Sequence, residues 1–235
     1  MTGEPHLARV LSAAAARYAG AGIVAREFAR GKLRGDPIYR ALLTTLPASI
    51  DTLVDIGCGQ GLALALLTEA GLAMRRGDWP VSTPPPQTVQ HIGIESRSRV
   101  AAIAQQALAE AAEIICARAP AGLPPSVSAA LLLDVLHLMD FEQQQRLLQE
   151  LRARMTTGGV VLVREADAGA GRGFWAVRAG NRVKNLLLGD PCQKFAFRSG
   201  AEWQKVLSGW GWSVEVWPMS EGTPFANVLF RLVKR

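Results

Sequence analysis

The sequence predicts an α/β fold, a mostly parallel sheet with helices on both faces, and three observations predict it. Residues 53–61, Leu-Val-Asp-Ile-Gly-Cys-Gly-Gln-Gly, read as a buried strand that enters a glycine-rich turn and opens a helix. Apolar strand-like runs then alternate with helix-period runs, the pattern of parallel βαβ units. Two capping-box signatures, at Asp140 to Gln143 and at Ser199 to Glu202, mark helix starts. With 235 residues, 49% of them hydrophobic, the chain suffices for one large domain or one domain with an elaborated end.

Taken in order, residues 1–46 read as a helical segment. Leu7 to Phe28 is alanine-rich, but Arg9, Arg17 and Arg26 interrupt it, so it reads as helix rather than as a signal peptide or membrane span. Gly31 and Gly35 predict a break around Lys32-Leu33-Arg34, a basic loop or a lid with glycine hinges. Asp36-Pro37 predicts a helix restart, with aspartate at the N-cap and proline at the first helical position. Ile38, Tyr39, Leu42, Leu43 and Leu46 give that helix an apolar stripe, which Pro47 closes.

Residues 47–235 read as the α/β domain. Strands are predicted at Leu53 to Ile56, Val89 to Ile94, Glu113 to Ala117, Ala129 to Leu133, Val160 to Val163 after a Gly158-Gly159 turn, Val214 to Trp217, and Ala226 to Val233. Helices are predicted from Leu62 to near Gly71, Ala101 to Ala112, Phe141 to Met155, and after Ser199 with Trp203, Val206, Leu207 and Trp210 on one face. Arg75 to Gln90, with three consecutive prolines, is a surface excursion. Phe174 to Leu188 reads as a helical insertion within 172–190, with Trp175, Asn181 and Arg182 as pocket or packing residues.

Composition narrows the function classes. The net charge of +6 is spread along the chain and reads as a solvated surface more readily than as a nucleic-acid footprint. Cys58, Cys116 and Cys192 lie far apart, without a C-x-x-C pair or a nearby histidine pair, so neither a zinc site nor a disulfide framework is expected and a reducing cytoplasm fits best.

The chemistry is concentrated at strand ends. Gly57, Gly59 and Gly61 let the backbone turn sharply and approach a nucleotide-type ligand. A dinucleotide fingerprint would need a small residue where Leu62 stands, which disfavours a nicotinamide-dependent dehydrogenase. Glu95, at the end of the second strand, is placed to accept hydrogen bonds from ribose hydroxyls, and the proline-rich excursion accounts for its distance from the glycine turn.

Asp55 followed by G-x-G-x-G resembles motif I of the class I S-adenosylmethionine-dependent methyltransferases, and the order of Glu95, the Asp134 region, the Gly158-Gly159 strand and the closing strand pair is similar to that family from about residue 36 onward. The resemblance implies a Rossmann-like seven-stranded sheet of order 3-2-1-4-5-7-6 with only the last strand antiparallel, preceded by extra N-terminal helices. It implies S-adenosylmethionine as cofactor, bound by Asp55, Gly57, Cys58, Gly59, Gly61, Glu95, Ser96, Arg118 and Asp134. The family's adenine-binding aspartate after the third strand is missing here, and Arg118 or backbone groups stand in its place. Asp134 and His137, in Leu-Asp-Val-Leu-His-Leu, fall in the catalytic zone. His137 is either a general base or a hydrogen-bonded packing residue. Arg164 and Glu165 either line the acceptor site or form a surface ion pair.

The resemblance implies methyl transfer to a small acceptor. Residues 29–43 are also similar to small bacterial methyltransferases of aryl-polyene pigment biosynthesis, which implies an aromatic acceptor or one carried on an acyl carrier protein. An RNA methyltransferase and a non-catalytic cofactor-binding protein on the same fold are the alternatives. No membrane span or metal site is expected.

Overall fold

The computed structural model describes residues 5–171, 195–221 and 226–235. Seven strands form one sheet: β1 (Ser49–Ile56), β2 (Gln87–Glu95), β3 (Glu113–Cys116), β4 (Val127–Leu133), β5 (Met155–Ala166), β6 (Trp212–Pro218) and β7 (Asn227–Lys234). Their order is β3-β2-β1-β4-β5-β7-β6. Neighbouring strands pair in parallel from β3 to β5, and β7 runs antiparallel to both β5 and β6. The strand order reverses between β1 and β4, the point at which an open α/β sheet leaves a ligand crevice beyond its carboxyl edge.

Both faces are covered. Helices α1 (Pro5–Ala16), α2 (Ile23–Gly35), α3 (Ile38–Thr45), α4 (Leu62–Arg75) and α5 (Ser98–Leu108) pack on one face. Helices α6 (Phe141–Arg154) and α7 (Gly200–Gly209) pack on the other, where Leu147, Leu151, Trp203 and Leu207 meet Val54, Val161 and Phe230. Both predicted capping boxes are present: the Asp140 side chain accepts from the Gln143 amide, and that of Ser199 from the Glu202 amide. The N-terminal helices share one core with α4 and the sheet, through Leu11, Tyr18, Leu33 and Leu42.

Several element boundaries differ from those the sequence predicts. The N-terminal break lies at a 3-10 turn, Arg17–Ala21, and at Gly22, whose φ of 94° lies in the region that favours glycine. α2 runs straight through Gly31 to Gly35, so Lys32, Leu33 and Arg34 are helical and no loop lies between two glycine hinges. A glycine inside a helix costs only about 1 kcal/mol relative to alanine, which the burial of Ala25, Ala29 and Leu33 outweighs. Pro37 itself is the N-cap of α3, while the Asp36 carboxylate accepts from the Ile38 amide at 3.2 Å. β1 and β2 begin earlier than expected, and α4 continues past Gly71 to Arg75.

The expected helix from Ala101 to Ala112 starts at Ser98 and ends at Leu108, followed by a 3-10 turn. Gly158 and Gly159 lie inside β5 rather than before it, where the β4–β5 register shifts between Val127 and Ala129. There a Cβ on Gly159 would press on the carbonyls of Thr156 and Ser128. The helical insertion near 172–190, with Trp175, Asn181 and Arg182, lies outside the described residues, as does Cys192.

Candidate cofactor and catalytic site

The carboxyl end of β1 delivers Asp55 and the glycine turn into the crevice. The turn folds back on β2: the amides of Gly57 and Cys58 both donate to the Ile94 carbonyl, at 2.7 and 3.1 Å. The three glycines then serve different ends. A Cβ on Gly57 would lie 2.5 Å from Val135, and one on Gly61 would lie 2.6 Å from Leu108, so these two glycines let the chain pack against itself. At Gly59, φ is 57° and a Cβ would meet nothing within 4 Å, so open space lies beside this backbone. Gly59 is thus the one of the three that leaves room for a ligand.

Asp55 is 3% exposed, and among the described residues no hydrogen bond reaches its carboxylate. Burial, with the charge of Glu95 adding, pushes its carboxyl up to about 7. Glu95 is differently placed. Its Oε2 accepts from the Gly59 amide at 3.0 Å and from Arg97 Nη2 at 3.0 Å, while Oε1 accepts from the Arg97 amide and Nε, both at 2.9 Å. Burial opposes ionisation, but these bonds and the Arg97 charge outweigh it and hold the carboxyl below its usual range. Burial also pushes the Cys58 thiol up, with Asp55 and Glu95 adding, which favours the protonated thiol.

A second cluster forms beyond β4 and β5. Asp134 takes a left-handed conformation at φ 59° as its amide donates to the Arg164 carbonyl at 2.9 Å. Arg164 grips the Asp134 carboxylate with two bonds, Nε to Oδ1 at 2.9 Å and Nη2 to Oδ2, and its Nη1 reaches Asp36 at 2.5 Å. Glu165 accepts from the amides of Leu136 and His137 at 2.7 and 3.3 Å, and its Oε2 meets His137 Nδ1 at 2.6 Å. His137 is buried, stacks on Phe197 with centroids 4.9 Å apart, and lies 5.9 Å from Phe195.

The segment carrying those phenylalanines is pinned in place. The Ala196 amide donates to the His137 carbonyl at 2.9 Å. The Gln144 side-chain amide donates to the carbonyls of Leu136, Met139 and Ala196, and Arg198 closes onto its oxygen at 3.2 Å. Arg198 also lies over the Phe141 ring, 4.1 Å from its centroid.

Asp55, Gly59 and Glu95 therefore converge at the end of β1, and Asp134 and His137 converge at the end of β4. Ser96 is exposed beyond β2, and Arg118 is exposed in the turn after β3, where its carbonyl accepts from the Ala121 amide. Arg164 and Glu165 are buried rather than a surface pair, and they bond to two different partners. Asp36, Tyr39, Arg97 and Gln144 carry no motif, and sequence reading missed their place in the site. The only signals were an aspartate before proline and a glutamine one turn inside a capping box. A cleft of about 340 Å³ between α1 and the loop after α4, lined by His6, Arg9, Asp78 and Trp79 among others, lies by the opposite end of α4 from the glycine turn. Among the described residues no group of three or more His, Cys, Asp or Glu is placed to hold a metal ion, and no helix is long and apolar enough to cross a membrane.

No family model and no curated protein matches the chain. Solved structures do match. The mitomycin 7-O-methyltransferase MmcR superposes with a TM-score of 0.62 at 22% identity, over 89% of this chain and 56% of that one. An O-methyltransferase of neocarzinostatin biosynthesis, solved with S-adenosylmethionine and 2-hydroxy-5-methyl naphthoic acid, gives 0.53 at 22% identity over 78% of this chain and 49% of that one. Magnesium protoporphyrin IX methyltransferase of Synechocystis PCC 6803, with bound SAH, gives 0.58 at 16% identity over 91% and 88%. The chain thus spans about half the length of the first two. Strand order, the antiparallel β7 and these superpositions together show that the chain has the fold of the class I S-adenosylmethionine-dependent methyltransferases.

Proposed function

We propose that the protein is an S-adenosylmethionine-dependent methyltransferase acting on a small acceptor, aromatic or carrier-linked, that bears an ionisable hydroxyl. The observation that carries this is the pairing, across the strand-order reversal, of a buried Asp55 with no donor among the described residues and a buried His137–Glu165 pair. A carboxylate removed from water without a donor is costly unless a cation meets it, and the ammonium of the cofactor's amino-acid end is such a cation. Gly59 leaves the space that the nucleoside needs, and Glu95 offers the acceptors for a ribose diol once the half-exposed Arg97 yields its bonds.

S-adenosylmethionine supplies an electrophilic methyl group on a sulfonium, so the protein's task is alignment and, for a protonated nucleophile, proton removal. Glu165 at His137 Nδ1 orients the ring, and the imidazole is assigned as the group that takes a proton from an acceptor hydroxyl. Asp134 is committed to Arg164 by two bonds and serves as an anion that shapes the crevice rather than as a base. Ser96 and Arg118 lie at the rim and Cys58 is half-buried against the core; these three are assigned as secondary cofactor contacts. That the neocarzinostatin neighbour holds a hydroxylated naphthoic acid supports an aromatic acceptor.

Thermal unfolding with S-adenosylmethionine, S-adenosylhomocysteine or NADH tests this. A ligand at 100 times its dissociation constant adds about 2.7 kcal/mol to folded-state stability. A raised midpoint with the sulfur nucleosides only is expected, followed by methyl uptake into phenolic acids. No rise with either, in folded protein free of copurified ligand, would remove the cofactor from the proposal.

A further inference from the structure

We propose that Arg164 is a positioning residue that latches the N-terminal helices onto the carboxyl edge of the sheet, so that Tyr39 completes the cofactor cleft. This rests on the cofactor assignment above. Arg164 stands on β5 opposite Leu133 and is 3% exposed. It divides its donors between two carboxylates that are far apart in the chain: Asp134, which follows β4, and Asp36, which joins α2 to α3. Burial opposes its charge, but Asp134 and Asp36 outweigh that cost and keep it ionised. The Asp36 contact ties the N-terminal helices directly to the site, and it uses Nη1, a nitrogen that the two Asp134 bonds do not use.

Tyr39 supplies the second observation. It lies in α3 next to that tie, its amide donating to the Asp36 carbonyl at 3.3 Å, and it is 8% exposed. Among the described residues no hydrogen bond reaches its hydroxyl, although Arg164, Asp36, Asp55 and Asp134 all act on it electrostatically. Its hydroxyl is not sealed from solvent and can meet a ligand, and the action of Asp55 on β1 and of Asp134 after β4 sets it beside the crevice between those strands.

The other end of the N-terminal segment has its own anchors. Tyr18 donates to the Gln60 carbonyl at 2.8 Å in the glycine turn, and Arg17 donates to Glu69 at 2.7 Å. The segment is therefore fixed at the glycine turn and latched by charge at Asp36, and docking of residues 23–45 is linked to ligand binding.

The test is hydrogen exchange and calorimetric titration with S-adenosylhomocysteine on the full chain, comparing wild type, Asp36→Asn and Tyr39→Phe. Asp36→Asn keeps the size and one acceptor but removes the charge. It is expected to lose amide protection across residues 23–45 while the sheet stays protected, to bind the nucleoside about tenfold more weakly, and to regain that protection at saturation. Tyr39→Phe is expected to weaken binding several-fold with ligand-free protection unchanged. Wild-type affinity in both variants, or loss of protection spread over the whole chain in Asp36→Asn, overturns the latch. If wild type fails to bind the nucleoside, the cofactor assignment falls instead, and the linkage falls with it.

Discussion

The two ends of the site are built by different means. At the end of β1 the functional geometry is local: Asp55, the glycine turn and, one strand over, Glu95. At the ends of β4 and β5 it is assembled from Asp36, Asp134, His137, Gln144, Arg164, Glu165 and the segment from Phe195 to Arg198. The first end depends on which backbone conformations a residue can take. The second depends on buried charges and amides satisfying one another across the fold, so its perturbation is expected to spread further.

The sharpest way to separate the two ends is His137→Ala. Turnover of a methyl acceptor should fall about 10²- to 10⁴-fold, the range for removal of a general base. Titration with S-adenosylhomocysteine should show affinity unchanged, because in the proposed function the histidine is assigned to the acceptor side. Equal losses in binding and turnover would merge the two ends into one.

Within the glycine turn the comparison can be broken residue by residue. Gly57→Ala puts a methyl group against Val135 at φ 72° and should cost roughly 2–4 kcal/mol of stability by chemical denaturation. Gly59→Ala carries similar backbone strain at φ 57° but meets open space, so it should cost less stability while weakening nucleoside binding in a protein that remains folded. If the two substitutions acted alike, the distinction between a packing glycine and a ligand glycine would fail.

At the other end, Gln144→Leu removes the donor shared by the Leu136, Met139 and Ala196 carbonyls. The expected loss is about 1–3 kcal/mol, with increased hydrogen exchange at residues 195–198 and slower turnover but little change in cofactor affinity.

The fold was legible because its signals are local and repeated. Alternating strand and helix runs, two capping boxes and the strand-glycine-helix unit each constrain a short stretch, and each recurs in the structure. Boundaries were misread where packing overrides propensity: Gly31 sits inside a helix whose buried face holds it, and Gly158 sits in a bulged strand. The candidate site was half legible. Asp55, Gly59, Glu95, Asp134 and His137 stand at strand ends, where position alone suggests chemistry. The partners of Asp134 and His137 did not show, because a register that brings Arg164 to Asp36 and Glu165 to His137 is set by tertiary pairing. Nor does a dipeptide such as Arg164-Glu165 reveal that its two side chains serve different partners.

A separate prediction concerns pH dependence at the end of β1. The Asp55 carboxyl is raised in the folded protein to about 7, above its unfolded value, so the folded state binds the extra proton between the two. Ligand-free stability should therefore fall as pH rises from about 4 to 7, by at most about 1.4 kcal/mol per pH unit from this residue. Asp55→Asn should abolish that component of the fall, as read by unfolding midpoints across the window.

The central claim is that Asp55 meets the ammonium of a sulfur nucleoside, and calorimetric titration with S-adenosylhomocysteine from pH 5.5 to 8.5 tests it most directly. Wild-type affinity is expected to rise by up to about tenfold per pH unit below 7, with proton release on binding, and then to level off, while Asp55→Asn binds weakly at every pH. Affinity that is the same in both proteins and flat with pH would contradict the claim and move the ligand away from the end of β1.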